Sequence, residues 1–376
     1  MTLRELWRGL DGWLIGAALA LCAMSVVTLA LTTPNLVPGS PLYLAKHQFI
    51  WIVIGLLVMA GMMWMPHDLL RRLRWPIYGL TLVLLLLVLV HGQSVLGAQR
   101  WINIGPFQFQ PSEFAKLGVI VILADILERK KGAIRGLRDM VPAILIALVP
   151  MLLVMKQPDL GTALVIAGIL GVLLYEAGGS GWKILALYLG TAGAVVLLVW
   201  LHLTAGFPLP LHHYQLTRLL AFVNPNADPL GTGYNLIQSE IAIASGHIHG
   251  VSVGEVSALI SFLPAADTDF AFASLGLVSG LVGMLTALGL YAVVVGRALT
   301  IARQEADGYS ALVVVGAAAL LTIHVFMNVG MATGVMPVVG VPAPFLSYGG
   351  SSVVTDFAAL GLILSSRLHR VHLSFR

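Results

Sequence analysis

Residues 261–273 read SFLPAADTDFAFA, and a long apolar run follows them. Pro264 ends one element, and two carboxylates, Asp267 and Asp269, stand where the chain enters that run. A carboxylate at the edge of hydrocarbon is costly, so it is read first as a functional group. The composition says what the run is. Charged residues make up 10% of the 376-residue chain and hydrophobic residues 58%, whereas soluble domains carry about 25% charged residues. With a mean hydropathy of +0.93, the chain reads as an all-α integral membrane protein, one polytopic domain over residues 1–376.

Working outward from residue 269, ten stretches are long and apolar enough to be spanning helices: 12–32, 47–65, 74–91, 111–128, 140–156, 159–177, 181–203, 269–296, 309–330 and 349–367. The first is longer than a signal-peptide core and no small-residue cleavage site follows it, so it is expected to be retained. Of the 21 Lys and Arg residues, all but five fall on one side of this arrangement. Lys46, Arg100, Lys156 and Arg218 fall on the other, and Lys116 lies inside the fourth helix. The positive-inside rule then puts both termini in the cytoplasm and loops 92–110, 204–268 and 331–348 outside.

Those three loops are not plain connectors. Loop 331–348 is nearly uncharged and holds Pro337, Pro342 and Pro344, so it is expected to dip back into the bilayer under a cover of protein. Loop 204–268, between the seventh and eighth helices, is long enough to be functional. Its apolar content predicts short amphipathic helices, one of them over 234–245. Loop 92–110 mixes Gly, Trp and Phe with one Arg.

Several chemistries are disfavoured. The single Cys22 rules out an intrachain disulfide and a thiolate metal cluster. No nucleotide-binding motif is present, and the basic residues sit in short loops rather than in a nucleic-acid patch. His212, His213, His247 and His249 carry only a weak metal signal, so no metal site is assigned.

The polar residues near the external loops carry the rest. Arg100 beside Trp101 is either an interfacial anchor or a clamp for an anion such as phosphate. Glu113 and Lys116 are three residues apart and share a helix face, with Lys116 one turn inside the membrane, where an ammonium needs a partner or water. Lys156 and Asp159 flank Pro158 between two helices; Asp159 can cap the second, while Lys156 adds a cation to a side poor in them. Thr268 or Asp267 can cap the helix expected from 269, and Asp269, partly withdrawn from water, suits a general base. Gly276 and Gly280 suggest close helix packing, and Asp356 a hydrogen bond to a neighbouring helix.

Five segments together resemble one family. RWINIGPFQFQPSEFAKL, KQPDLGTAL, NPNADPLGTGYNLIQSEIAIASG, FLPAADTDFAFA and GVMPVVGVPAPFLSYGGSS are similar, in that order over about residues 95–355, to the signature segments of the SEDS proteins, the RodA, FtsW and SpoVE group. Ala265, Asp267 and Ala343 depart from that pattern, as does Leu275-Gly276-Leu277. The resemblance implies a glycosyltransferase of the bacterial cytoplasmic membrane that polymerises lipid II for cell-wall elongation and releases undecaprenyl pyrophosphate. It implies Asp269 as the catalytic residue, with Arg100, Glu113, Lys116, Lys156 and Asp159 lining a substrate cavity. The departing pyrophosphate is then neutralised by Arg100, Lys116 and Lys156 or by a divalent cation, magnesium or manganese. The implied partner is a class B penicillin-binding protein. The rival expectations are a flippase for lipid-linked precursors and a non-catalytic scaffold that activates such a transpeptidase.

Overall fold

In the computed structural model, residues 9–36, 39–95, 98–104, 107–208 (131, 133 and 135 apart), 216, 222, 224 and 233–374 are described. All ten expected stretches are helical. In chain order the helices are α1 (Gly12–Leu36), α2 (Tyr43–Trp64), α3 (His67–Arg72), α4 (Arg74–His91), α5 (Pro111–Glu128), α6 (Leu137–Lys156) and α7 (Leu160–Glu176). They continue with α8 (Gly181–Ala205), α9 (Tyr234–Ser245), α10 (Val253–Ile260), α11 (Ala271–Arg303), α12 (Gly308–Ala332) and α13 (Gly350–Ser374).

Eight of these helices have the length and apolarity to cross a bilayer. The ten-span expectation included two more. One, α7, is 17 residues long; the other, α5, carries Glu113, Lys116, Asp125 and Glu128. Helices α12 and α13 form the centre, with 78% and 94% of their most apolar stretches buried. Helix α8 stands at the periphery with 11%. A central helix can carry polar residues because protein, not lipid, surrounds it. His324, Asn328 and Asp356 all lie on these two helices.

Three parts of the fold differ from expectation. Loop 92–110 forms a small antiparallel sheet, β1 (Gln93–Val95), β2 (Ala98–Ile104) and β3 (Phe107–Phe109). Its apolar and polar residues are too few and too mixed for the alternation that marks a strand to stand out. The helix expected from 269 begins at Ala271, so Asp267 and Asp269 sit in the turn before it. Its N-cap is Phe270, which has no side-chain cap, so neither Thr268 nor Asp267 plays that part. The third difference is in α11 itself. Gly280 has φ 63° and ψ −162°, a break that only glycine adopts freely. Residues 246–251 fill the break: Leu281 N–H donates to His247 O at 2.9 Å, Val282 N–H to Ile248 O at 3.1 Å, and Val251 N–H to Leu277 O at 3.1 Å. The Gly276–Gly280 pair therefore marks a discontinuity in which freed backbone groups are re-paired, rather than a helix-packing stripe.

The cover of protein expected over loop 331–348 is present. After the C-terminus of α12 it is non-helical, yet Val341, Ala343, Phe345 and Leu346 are almost wholly buried. The helix expected at 234–245 is α9 with those bounds. Of the remaining long loop, residues 209–232 lie almost entirely outside the described residues, including His212 and His213.

Candidate functional site

The turn 261–270 is held through its backbone. Tyr348 N–H donates to Asp267 O at 2.7 Å, Ser347 Oγ to Thr268 O at 2.6 Å, and Asn328 Nδ2 to Asp269 O at 2.8 Å. Three successive carbonyls are thus tied to the buried loop and to α12. The loop is held in turn. Asn328 Nδ2 also donates to Val341 O at 2.8 Å, Ser25 Oγ to Leu346 O at 2.6 Å, and Gln48 Nε2 to Ser347 O at 3.0 Å. Backbone tethering of this kind fixes the direction in which a side chain leaves the turn.

Asp269 is half-buried, and its carboxylate lies over Gly340. A methyl at Gly340 would stand 3.1 Å from Asp269 Oδ2, and Gly340 has φ +73°. The same loop touches the start of α7, where a methyl at Gly161 would meet Val339 O and Val341 Cγ2 at 2.7 Å. The 339–341 segment of the loop thus lies against both Asp269 and the start of α7.

Asp159 caps α7, accepting from Thr162 N–H at 3.1 Å and Thr162 Oγ1 at 2.8 Å. It also faces Arg100 at 3.7 Å and Ser112 Oγ at 3.4 Å. Arg100 reaches over from β2, donating to Gln157 O at 3.4 Å and to Pro158 O. Its guanidinium thus covers carbonyls left free where α6 ends, so Arg100 is more than an interfacial anchor. Lys156, the last residue of α6, is exposed and makes no ion pair among the described residues.

One turn deeper, Lys116 is 1% exposed. Its Nζ donates to Glu113 Oε1 at 2.8 Å and lies 2.9 Å from His324 Nε2. The ammonium has found its partners inside the protein, as an intramembrane lysine must. Asp356 accepts from Phe345 N–H at 3.2 Å, in the buried loop rather than on a helix, and lies within electrostatic reach of Glu113 and Lys116. His324 and Asn328 were not singled out from the sequence. A signal was present: a histidine and an asparagine four apart, hence on one face, in a helix whose other polar side chains are hydroxyls.

Burial raises the Asp267 carboxyl above the usual carboxylate value, and its own backbone N–H lowers it only in part. Along the turn Ser261, Phe262, Pro264 and Ala265 are exposed, while Asp267, Thr268 and Asp269 are half-buried. Among the described residues no group of three or more His, Cys, Asp or Glu side chains is placed to hold a metal.

A bundle of long apolar helices, one of them broken at Gly280, with charged and polar side chains buried at its centre, defines a class: a polytopic membrane protein. The chain belongs to the FTSW_RODA_SPOVE family of cell cycle proteins, which it matches over residues 12–372. It is 34% identical over 337 residues to the Escherichia coli (strain K12) peptidoglycan glycosyltransferase MrdB, covering 89% of each chain. It is also similar to a chain from the structure of a peptidoglycan synthase complex that coordinates polymerization and crosslinking. That TM-score is 0.80 with 33% identity, covering 96% of this chain and 98% of the other. The rod shape determining protein RodA of Thermus thermophilus is similar with a TM-score of 0.69 and 29% identity, covering 95% and 96%. The chain is a multi-pass protein of the bacterial inner membrane.

Proposed function

We propose that the chain is a peptidoglycan glycosyltransferase that joins lipid II units into glycan strands, releasing undecaprenyl pyrophosphate. Both substrates are tethered to lipid, which suits a catalytic group on a turn between spanning helices. All ten stretches then cross the membrane, with both termini in the cytoplasm and Asp269 at the outer face; the uneven Lys and Arg distribution supports this.

Asp269 acts as general base on the acceptor sugar hydroxyl. The proton moves to its carboxylate as the oxygen attacks the donor's anomeric carbon, and the bond to the pyrophosphate breaks. Arg100, Lys156 and Lys116 supply positive charge toward the departing anion, while Glu113 and Asp159 hold Lys116 and Arg100 in place. No step is assigned to a cation. The observation that carries this reading is the backbone tethering at Asp267, Thr268 and Asp269, which fixes a half-buried carboxylate above Gly340. The chain is further proposed to work in a synthase complex with a class B penicillin-binding protein. Its likeness to a chain of the peptidoglycan synthase complex supports that reading.

The test is lipid II polymerisation by the purified protein, read as product length on a gel. Polymer from the wild type and none from Asp269→Ala is expected. Equal polymer from both would remove Asp269 from the chemistry, and lipid II crossing the bilayer without polymer would favour the flippase.

A further inference from the structure

We propose that His324 is a positioning residue for Lys116, holding the ammonium against Glu113 so that its third N–H keeps one direction. This rests on the glycosyltransferase reading, in which Lys116 faces the leaving pyrophosphate.

The geometry forces the roles. An ammonium has three donors and no acceptor. At 2.9 Å, His324 Nε2 must therefore accept from Lys116 Nζ, so the imidazole is neutral and its proton sits on Nδ1. Glu113 Oε1 takes a second donor at 2.8 Å. Two acceptors on different helices, α5 and α12, fix a side chain that otherwise has several rotatable bonds. Without the imidazole, Lys116 could pivot about Glu113 alone.

The surroundings are polar but incompletely paired. His324 Nδ1, Glu113 Oε2, Asn328 Oδ1, Thr355 Oγ1 and Asp356 Oδ1 are all buried with no partner among the described residues. Native proteins rarely leave such groups unpaired unless a ligand or water completes them. Helix α12 also couples the two halves of the site. One turn beyond His324, Asn328 holds the Asp269 carbonyl at 2.8 Å. A single rigid helix thus sets both the cation and the base.

Two substitutions separate positioning from packing. His324→Leu fills the space without an acceptor, whereas His324→Gln keeps an acceptor. Lipid II polymerisation should slow about tenfold or more in His324→Leu and return to within about twofold of wild type in His324→Gln, the loss expected for a hydrogen bond to a charged group. Thermal unfolding of His324→Leu, Lys116→Met and the double variant completes a cycle that needs no activity. The midpoint shifts should be non-additive, because the second change has no contact left to break. The proposal is overturned if His324→Leu polymerises like wild type, if His324→Gln is as slow as His324→Leu, or if the shifts add. Should the wild type make no polymer, the glycosyltransferase reading falls, and the thermal cycle still decides whether His324 holds Lys116.

Discussion

Buried carboxylates at the two ends of the helix bundle are treated differently. At the end away from Arg100, Asp11 and Asp125 have both oxygens filled. Asp11 takes Leu14 N–H at 3.1 Å, Arg297 at 2.6 Å and Arg367. Asp125 takes Arg71 at 2.9 Å, Arg74 at 2.8 Å and Arg129 at 2.9 Å. Toward the Arg100 end Asp159 is filled on both oxygens as well, but Glu113 and Asp356 each have one oxygen paired and one without a partner among the described residues. Saturated pairs lock helices together. Half-paired ones keep an acceptor to spare, which sets Glu113 and Asp356 apart from Asp11 and Asp125, though not Asp159.

The sharpest way to break that contrast is Asp269→Ala. Polymerisation should fall about 10²–10⁴-fold, the range for a general base, with the thermal midpoint nearly unchanged because the turn is held by carbonyls. Asp125→Ala should do the reverse. The arginine partners of Asp125 are partly exposed and can be hydrated once it is gone, so the loss is about 1.5–3 kcal/mol, that of hydrogen bonds to a charged group; the midpoint should drop while the rate per folded molecule stays close to wild type. If the two variants fail in the same way, the division into scaffold and site is wrong.

Gly340→Ala sharpens the contrast within the site. The added methyl would stand 3.1 Å from Asp269 Oδ2 at a residue with φ +73°. A misplacement of about 1 Å can cost about 10²-fold in rate. A loss of that order, with normal lipid II binding, is expected in steady-state kinetics. A smaller effect belongs to Lys156→Ala. An exposed charge contributes about 0.2–1 kcal/mol, so a loss of about twofold to fivefold is expected, shrinking as salt is raised.

What was legible in the sequence divides along the same line. The helices were, because a run of about 20 apolar residues has few alternatives in a bilayer. The burial of loop 331–348 was, because an uncharged, proline-rich segment cannot sit in lipid unprotected. The Glu113–Lys116 pair followed from spacing. The sheet over 93–109 did not show, because its short strands lack an alternating pattern. Nor did the break at Gly280, since a GxxxG spacing serves packing and interruption equally. His324 escaped notice because its partner is 208 residues away, and only the fold brings α5 against α12.

The last prediction concerns pH and has the smallest expected effect. Burial pushes the Asp11 carboxyl up, but the Arg297 hydrogen bond, the Leu14 N–H and the charges of Arg297 and Arg367 leave it below its ordinary value of 3.8. Its contribution to stability is therefore present above that value and lost as pH falls through the lowered pKa. Asp267 has the opposite sign. Its pKa is raised, so the folded state binds the proton more tightly, and its contribution is present below 3.8 and lost as pH rises through the raised value. Thermal midpoints measured across the acid range should accordingly fall less steeply on acidification in Asp11→Asn, and lose their decline with rising pH in Asp267→Asn. The second result matters more. If Asp267→Asn leaves the slope untouched, burial does not set the Asp267 carboxyl apart from an ordinary carboxylate, and the half-buried end of the turn, Asp267 to Asp269, is open to water.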